Sequence, residues 1–353
     1  MSRRFARTGL PLAVSGAVSA MLFCAQPAAR ADAPASGQIL TDVIFSRYTE
    51  HSDNSERARR LLSPFSAARL ERDLGRSGRT LTGQPVNLAD EKFVVYLPAL
   101  RPKSGFGLLV FVPPWQDARI PPGWAAAFDR YGIIFVSAAR SGNDESAFDR
   151  REPLALLAAD NVMAQYPVDP ERVYIGGFSG GSRVALRVAL GYPDLFRGAL
   201  LNAGSDAIGS REVPLPPRDL FLKFQSTTRI VYVTGERDAA HAAEDMISLR
   251  SLHRWCVFNT DSQTEFRAEH AVAGAAALSG AVRYLLGDAQ TEPHRLSACR
   301  SGVDAELAAG LQDVEALIGD ARRAEAQKRL IAIDERFGGL AAPRSIDLAT
   351  RLQ

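Results

Sequence analysis

From residue 92 onward, short runs of apolar residues alternate with longer segments in which apolar and polar residues recur at helical spacing. The apolar runs are dense and uninterrupted, as is typical of strands buried on both faces of a parallel sheet. We therefore predict strands at 92–97, 107–112, 132–137, 172–177, 198–204 and 229–235. Predicted helices lie between and after them, at 122–130, 154–165, 180–190, 240–253 and 271–286. This order predicts an α/β fold with a doubly wound, mainly parallel sheet, placed at 92–298.

The pattern is different before this region. Residues 32–40 are small and polar, which predicts a flexible start, whereas residues 52–74 mix charged and apolar residues at helical spacing, interrupted at Pro64. We therefore predict a helical N-terminal extension over 32–91.

Beyond the main region, residues 299–353 are rich in Ala, Glu, Leu and Arg. This composition predicts a helical C-terminal extension of two helices, broken near Gly319, with the second ending at Gly338. We expect its apolar stripe to pack on the main domain, with the binding of a protein partner as the alternative.

The first residues have the layout of a secretory signal peptide. Arg3, Arg4 and Arg7 precede an apolar stretch at 10–23, and the small residues of "ARA" at 29–31 predict cleavage before Asp32. We therefore predict that residues 1–31 are a signal peptide and that the mature protein is periplasmic or secreted.

Charge and hydropathy exclude two classes of protein. The formal net charge of +2 falls to about −2 when the four arginines of residues 1–31 are removed, which argues against a nucleic-acid partner. No apolar run reaches the roughly 18 to 20 residues that a membrane-spanning helix needs.

Two cysteines remain after the predicted cleavage, Cys256 and Cys299. In an oxidising compartment such a pair predicts a disulfide, with two independent buried thiols as the alternative. None of the five histidines falls into a recognisable ligand spacing, so we expect no metal and no other cofactor.

The stretch "VYIGGFSGGSRVAL" at 173–186 carries the candidate nucleophile. It places Ser179 in a G-x-S-x-G pattern between a predicted strand and a predicted helix. Such a serine occupies a cramped turn from which its hydroxyl projects at the carboxyl edge of the sheet, and the flanking glycines avoid side-chain clashes. The N–H of Gly180, at the start of the helix, would bind a tetrahedral oxyanion. A solvated serine in an ordinary turn is the alternative.

A serine hydroxyl needs a base and an acid, which should follow it in the order acid and then histidine. Asp238 lies on the loop after the strand at 229–235 and is the predicted acid. Glu236 competes with it, and either carboxylate could instead cap the helix that follows.

Among the histidines, position favours His270 as the base. It lies between the strand-like "TEFRA" and the last core helix, at the sheet edge where the serine should emerge. His241, three residues after Asp238, is the main alternative. The other histidines, His51, His253 and His294, lie before the serine, near the end of a helix, or beyond the last core helix.

The segment "YPVDPERVYIGGFSGGSRVALRVALGYPDLFRGALLNAG" at 166–204 resembles the α/β-hydrolase superfamily, in particular secreted esterases of the polyhydroxybutyrate-depolymerase and feruloyl-esterase type. The resemblance covers roughly 92–287 and includes "TGERD", which is similar to the turn that bears the family's acid. It implies the α/β-hydrolase fold and hydrolysis of carboxylic esters.

One position departs from the family pattern. The family usually has His-Gly after the strand at 107–112, where a backbone N–H completes the oxyanion hole, but this chain has "PPWQD". Pro113 and Pro114 have no N–H, so the second donor would have to be the amide of Trp115 or Gln116.

The sequence therefore predicts a serine esterase with Ser179, His270 and Asp238 as nucleophile, base and acid, acting on small or polymeric esters. Because Pro113 and Pro114 cannot donate to an oxyanion, a catalytically impaired relative that binds a ligand or protein is one alternative. A serine peptidase on the same fold is the other.

Overall fold

A computed structural model describes residues 37–288 and 291–352. The predicted signal peptide lies outside these residues. Among them, eight strands form one sheet in the order β1-β2-β4-β3-β5-β6-β7-β8. The strands are β1 (Gln38–Val43), β2 (Phe93–Leu97), β3 (Phe106–Val112), β4 (Ile133–Ala138), β5 (Val168–Phe178), β6 (Gly198–Asn202), β7 (Arg229–Gly235) and β8 (Thr260–Glu265).

The sheet is parallel from β4 to β8, whereas β2 runs antiparallel to β4 and β1 antiparallel to β2. Every residue of β3, β4 and β6 is buried, which explains why these strands read as uninterrupted apolar runs. The predicted α/β class and mainly parallel sheet are therefore confirmed.

Helices pack on both faces of the sheet or extend from it. They are α1 (Asn54–Leu61), α2 (Pro64–Arg76), α3 (Ala125–Tyr131), α4 (Glu152–Gln165), α5 (Gly180–Gly191), α6 (Arg218–Thr227), α7 (Ala239–Arg254), α8 (Ala275–Leu286), α9 (Pro293–Gly319), α10 (Arg323–Phe337) and α11 (Arg344–Leu352). None of the helices within the described ranges is long and apolar enough to cross a bilayer.

The register of the parallel strands aligns their carboxyl ends at one edge of the sheet. Val112 at the end of β3 pairs with Gly177 of β5, and Phe178 pairs with Asn202 at the end of β6. Asn202 in turn pairs with Val233 of β7. The loops that follow β3, β5, β7 and β8 therefore begin close together.

The N-terminal extension differs from the prediction at its start. Residues 38–43, which the sequence assigned to a flexible start and a helical extension, form the edge strand β1. Its side chains are mostly exposed, so no apolar alternation marked it as a strand. Pro64 is the first residue of α2, where a missing N–H costs nothing, and Ser63 caps that helix.

The C-terminal extension packs on the main domain through its apolar stripe. Leu307 and Val314 of α9 and Phe337 of α10 are buried in the same core cluster as the sheet, and the Phe337 ring lies 5.6 Å from that of Trp255. The predicted boundary at 299 falls inside α9, which begins at Pro293. The structure also has a third helix, α11, which the composition did not reveal.

Candidate active site

Ser179 lies at the turn between β5 and α5 with φ 55° and ψ −125°. A residue with a side chain pays roughly 1–3 kcal/mol for such a conformation, so the surrounding structure has to enforce it. The Ser179 N–H donates to the Asn202 carbonyl at 2.9 Å, and the Ser179 carbonyl accepts from the Ser182 N–H at 2.9 Å. These bonds fix the strained serine between the neighbouring strand and its own helix.

Gly181 allows the end of β3 to approach this turn. A Cβ at Gly181 would collide with the Val112 carbonyl oxygen and would lie 3.2 Å from the carbonyl carbon of Pro113. The N-terminus of α5 is therefore in direct contact with the turn that follows β3. This contact brings the residues predicted to supply oxyanion donors to neighbouring positions.

Asp238 lies on the loop between β7 and α7, and its side chain is only 6% exposed. One carboxylate oxygen, Oδ2, is 2.7 Å from His270 Nδ1, and the other, Oδ1, is 2.7 Å from His241 Nδ1. Burial alone would raise the pKa of Asp238, but the hydrogen bonds from His241 and His270 outweigh it and hold the pKa below its ordinary value. Asp238 is therefore an ionised hydrogen-bond acceptor at neutral pH.

His270 lies on the loop between β8 and α8. Its Nε2 accepts a hydrogen bond from the Ser179 hydroxyl at 3.1 Å, while its Nδ1 donates to Asp238. Its ring lies 4.8 Å from the Phe178 ring and 4.0 Å from the His241 ring, measured between centroids. The structure therefore brings Ser179, His270 and Asp238 into one continuous hydrogen-bonded chain.

The competing residues take other positions. Glu236 accepts from the Arg267 N–H at 2.8 Å and so holds the histidine loop without contacting the imidazole. His51 lies against the ring of Tyr192, and His253 Nε2 is 2.9 Å from Thr260 Oγ1. His294 lies on the first turn of α9. Only His241 shares the site, through Asp238.

The turn after β3 is held by its carbonyl oxygens. The Pro114 carbonyl accepts from the Asn143 N–H at 3.1 Å, and the Gln116 carbonyl accepts from the Arg140 N–H at 2.6 Å. Among the described residues, the N–H groups of Trp115 and Gln116 have no acceptor. The same holds for the N–H groups of Gly180 and Gly181 at the start of α5.

Two asparagines belong to the site that the sequence did not single out. Asn202 is buried; its Nδ2 donates to the Val233 carbonyl at 2.8 Å, and its Oδ1 accepts from the Ala273 N–H at 2.7 Å. A polar residue ending the apolar run of β6 was the available signal. Asn143 is exposed, and its carboxamide lies over Gly180. The carboxamide oxygen is the atom nearest to where a Cβ of Gly180 would stand, and the nitrogen lies 3.1 Å from that point.

The Asn143 carboxamide has no hydrogen-bond partner among the described residues. Its backbone N–H is bonded to the Pro114 carbonyl, which places the start of the side chain beside Gly180. No sequence pattern marks this residue, because its proximity to the serine depends on the packing of two loops far apart in the chain.

Asp238, His241 and His270 are the one group in the described residues whose ligand-type atoms lie close enough together to hold a metal ion, within 4.8 Å of one another. The two rings stack nearly parallel, with an interplanar angle of 15°, so their in-plane lone pairs do not converge on one point. Both Nδ1 atoms are also engaged by Asp238. The group is therefore arranged for hydrogen bonding.

The predicted cysteine pair is joined: Cys256 Sγ and Cys299 Sγ are 2.07 Å apart. The bond connects the residues just after α7 to α9, remote from Ser179 in the chain. A cavity of about 1270 Å³ also lies away from the serine, lined by α2 and by residues of the C-terminal extension such as Pro343 and Ile346. None of Ser179, Asp238 and His270 lines it.

A serine held at positive φ between a central parallel strand and a helix is the nucleophile elbow of the α/β-hydrolase fold, and the strand order gives this chain that fold. No protein-family model matches the sequence. A stretch of 95 residues is 28% identical to poly(3-hydroxyalkanoate) depolymerase C of Paucimonas lemoignei, covering 23% of this chain and 23% of the depolymerase. The chain thus matches about a quarter of that relative.

Solved structures of similar fold include S-formylglutathione hydrolase from Staphylococcus aureus, with 13% identity and a TM-score of 0.44 over 56% of this chain and 93% of that one. An esterase from Pyrobaculum calidifontis has 14% identity and a TM-score of 0.42, over 57% of this chain and 82% of that one.

Proposed function

We propose that this protein is a serine hydrolase that cleaves carboxylic esters. The observation that supports it most is the hydrogen-bonded chain from Asp238 Oδ2 through His270 to the Ser179 hydroxyl, with N···O distances of 2.7 and 3.1 Å. It ends on a serine in the strained elbow conformation. This arrangement is what nucleophilic catalysis by serine requires.

In the proposed reaction, the Ser179 oxygen attacks the ester carbonyl while His270 Nε2 takes the hydroxyl proton. Asp238 keeps the proton on Nδ1, so that Nε2 is the basic nitrogen, and it stabilises the imidazolium that forms. His270 then gives the proton to the leaving alcohol. Water, deprotonated by the same histidine, hydrolyses the acyl-enzyme and restores Ser179.

The oxyanion is stabilised by three kinds of N–H group in this proposal. The first donor is the Gly180 N–H at the positive end of α5, and the second is the amide of Trp115 or Gln116. The Asn143 carboxamide lies over Gly180 with its oxygen nearest, and in this proposal it turns its NH2 group toward the oxyanion as a third donor. Together they would compensate for the two prolines that lack an N–H.

The similarity to a polyhydroxyalkanoate depolymerase over 95 residues supports an ester substrate, either small or polymeric. The Cys256–Cys299 disulfide supports an oxidising compartment, and with the predicted signal peptide it supports a periplasmic or secreted enzyme. Export is tested by measuring the intact mass of the protein purified from the periplasm or the medium. We expect a mass that corresponds to an N-terminus at Asp32.

Turnover tests the function itself. The protein is assayed with nitrophenyl esters of increasing acyl length and with chromogenic peptides, alongside Ser179→Ala and the matched control Ser182→Ala. We expect ester hydrolysis that Ser179→Ala abolishes. Peptide cleavage without ester cleavage would make the protein a peptidase, and wild-type protein inactive on both would favour a binding role.

A further inference from the structure

Asp238 accepts hydrogen bonds from two imidazoles, and the proposed reaction uses only that of His270. His270 Nδ1 lies 2.7 Å from Oδ2, and His241 Nδ1 lies 2.7 Å from Oδ1. The two rings stack with centroids 4.0 Å apart and planes inclined by 15°. His241 therefore contacts both the acid and the base of the proposed triad without contacting the serine.

The shared carboxylate fixes the tautomer of both rings. An ionised carboxylate only accepts hydrogen bonds, so each Nδ1 facing Asp238 must carry a proton. In each neutral ring the basic nitrogen is then Nε2. For His270 this is the nitrogen that faces the Ser179 hydroxyl.

Two neighbours besides His270 lie close to His241. His241 lies on the first turn of α7, where its backbone N–H also approaches Asp238 Oδ1, at 3.5 Å. On another side, a Cβ at Gly204 would lie 3.0 Å from His241 Cδ2. The ring thus lies between the loop after β6 and the ring of His270, with 25% of the side chain exposed.

The groups around this pair are mostly acidic. Asp245 is one turn further along α7 and interacts electrostatically with His241. Beside Gly204, Glu244 pairs with Arg183 of α5, which also pairs with Asp206. A protonated His270 would be stacked directly on a protonated His241.

We propose that His241 is a positioning residue that orients the Asp238 carboxylate and keeps His270 unprotonated to lower pH than a single aspartate–histidine pair would. The inference rests on the proposed function. Two like charges on rings 4.0 Å apart repel, so the pair takes up its two protons in separate steps. A charge on one ring therefore disfavours a charge on the other.

His241 also weakens the attraction between Asp238 and a protonated His270. Its hydrogen bond to Oδ1 draws carboxylate charge away from Oδ2. Removing His241 should therefore raise the proton affinity of His270 for two reasons. No second imidazole would then compete for the proton, and the Asp238 carboxylate would interact with His270 alone.

The test compares pH profiles of kcat/KM for a nitrophenyl ester. His241→Phe keeps an aromatic ring against His270 but loses the hydrogen bond and the charge, whereas His241→Asn keeps a donor for Asp238. The control, His253→Asn, removes a histidine further along the same helix that contacts Thr260 instead. We expect the acid limb of His241→Phe to become a single step and to move up by about one pH unit. His241→Asn should move less, and His253→Asn should keep the wild-type profile.

An unchanged acid limb in His241→Phe, with only a lower melting temperature, would overturn the proposal by reducing His241 to a structural role. Titration of the histidine ring signals by NMR in the same proteins reads the protonation of His270 without turnover. If wild-type protein hydrolyses no ester, the proposed function fails, and the NMR titration still compares the protonation of His270 with and without His241.

Discussion

Replacing Asp238 by asparagine tests how the site is held together. The carboxylate offers one acceptor oxygen to each imidazole, whereas the carboxamide offers one acceptor and one donor. One of the two histidines must then adopt the other tautomer. If the amide nitrogen faces His270, it donates to Nδ1 of that histidine. The proton of the imidazole is then on Nε2, which cannot accept a proton from Ser179.

The loss is large in either orientation of the amide. The charges of Asp238 and a protonated His270 lie about 4 Å apart, which at an effective dielectric constant near 20 is worth about 4 kcal/mol, or about 10³-fold in rate. The His270 side chain is 36% exposed, so solvent screens part of this attraction. The molecules in which His270 has the wrong tautomer lack a base for Ser179, and this increases the loss of rate. We therefore expect kcat to fall by about 10³ to 10⁴.

The assay is steady-state hydrolysis of a nitrophenyl ester by purified Asp238→Asn, with folding checked by circular dichroism. Glu236→Gln is the matched control, because it changes the neighbouring acid, which accepts from Arg267 and not from His270. We expect the control to lose less than about tenfold. A kcat for Asp238→Asn within tenfold of the wild type, or a greater loss in Glu236→Gln, would refute the reasoning.

Three further predictions follow from single contacts. Asn143→Ala removes a proposed oxyanion donor and should lower kcat by about 10² to 10³ with little change in KM. Reduction of the Cys256–Cys299 bond, or Cys299→Ser, releases a crosslink between positions 43 residues apart and should lower the free energy of unfolding by about 4 kcal/mol in the chain-entropy description. Burial raises the pKa of Asp334 despite hydrogen bonds from Ser63 and the Phe65 N–H. Its contribution to stability is therefore present below the ordinary carboxyl pKa and lost as pH rises through the raised pKa. Asp334→Asn should flatten the pH dependence of unfolding above the ordinary carboxyl pKa.

Each of these has its own control. Asp144→Ala, one residue beyond Asn143, should keep wild-type kcat, and equal losses in both variants would mean that the loop and not the amide matters. Chemical unfolding with and without reductant measures the disulfide, and identical midpoints would contradict the prediction. For Asp334→Asn, an unfolding free energy that varies with pH as in the wild type would show that this carboxyl does not control the slope.

The sequence predicted best those features that depend on neighbouring residues and on burial. The buried strands β3, β4 and β6 read directly as apolar runs, and the glycines around Ser179 marked a turn that few other sequences could form. Because acid and base follow the serine in a fixed order in this fold, chain position alone was enough to select Asp238 and His270 as candidates.

Features that depend on contacts between distant segments were hidden. β1 is an exposed edge strand with no apolar alternation, and α11 lies beyond Gly338, where the predicted helices ended. Asn143 approaches Gly180 only because its loop is bonded to the turn after β3. His241 could be ranked only as an alternative base, since its contact with Asp238 Oδ1 requires the helix and the loop to be in place.

The central claim is that Ser179 is an activated nucleophile. The most direct measurement is reaction of the native protein with a fluorophosphonate, followed by peptide mass mapping of the adduct. The account predicts a single adduct on Ser179 that is lost in Ser179→Ala and strongly slowed in His270→Ala. Absence of any adduct under native conditions, or an adduct that persists in Ser179→Ala, would contradict it.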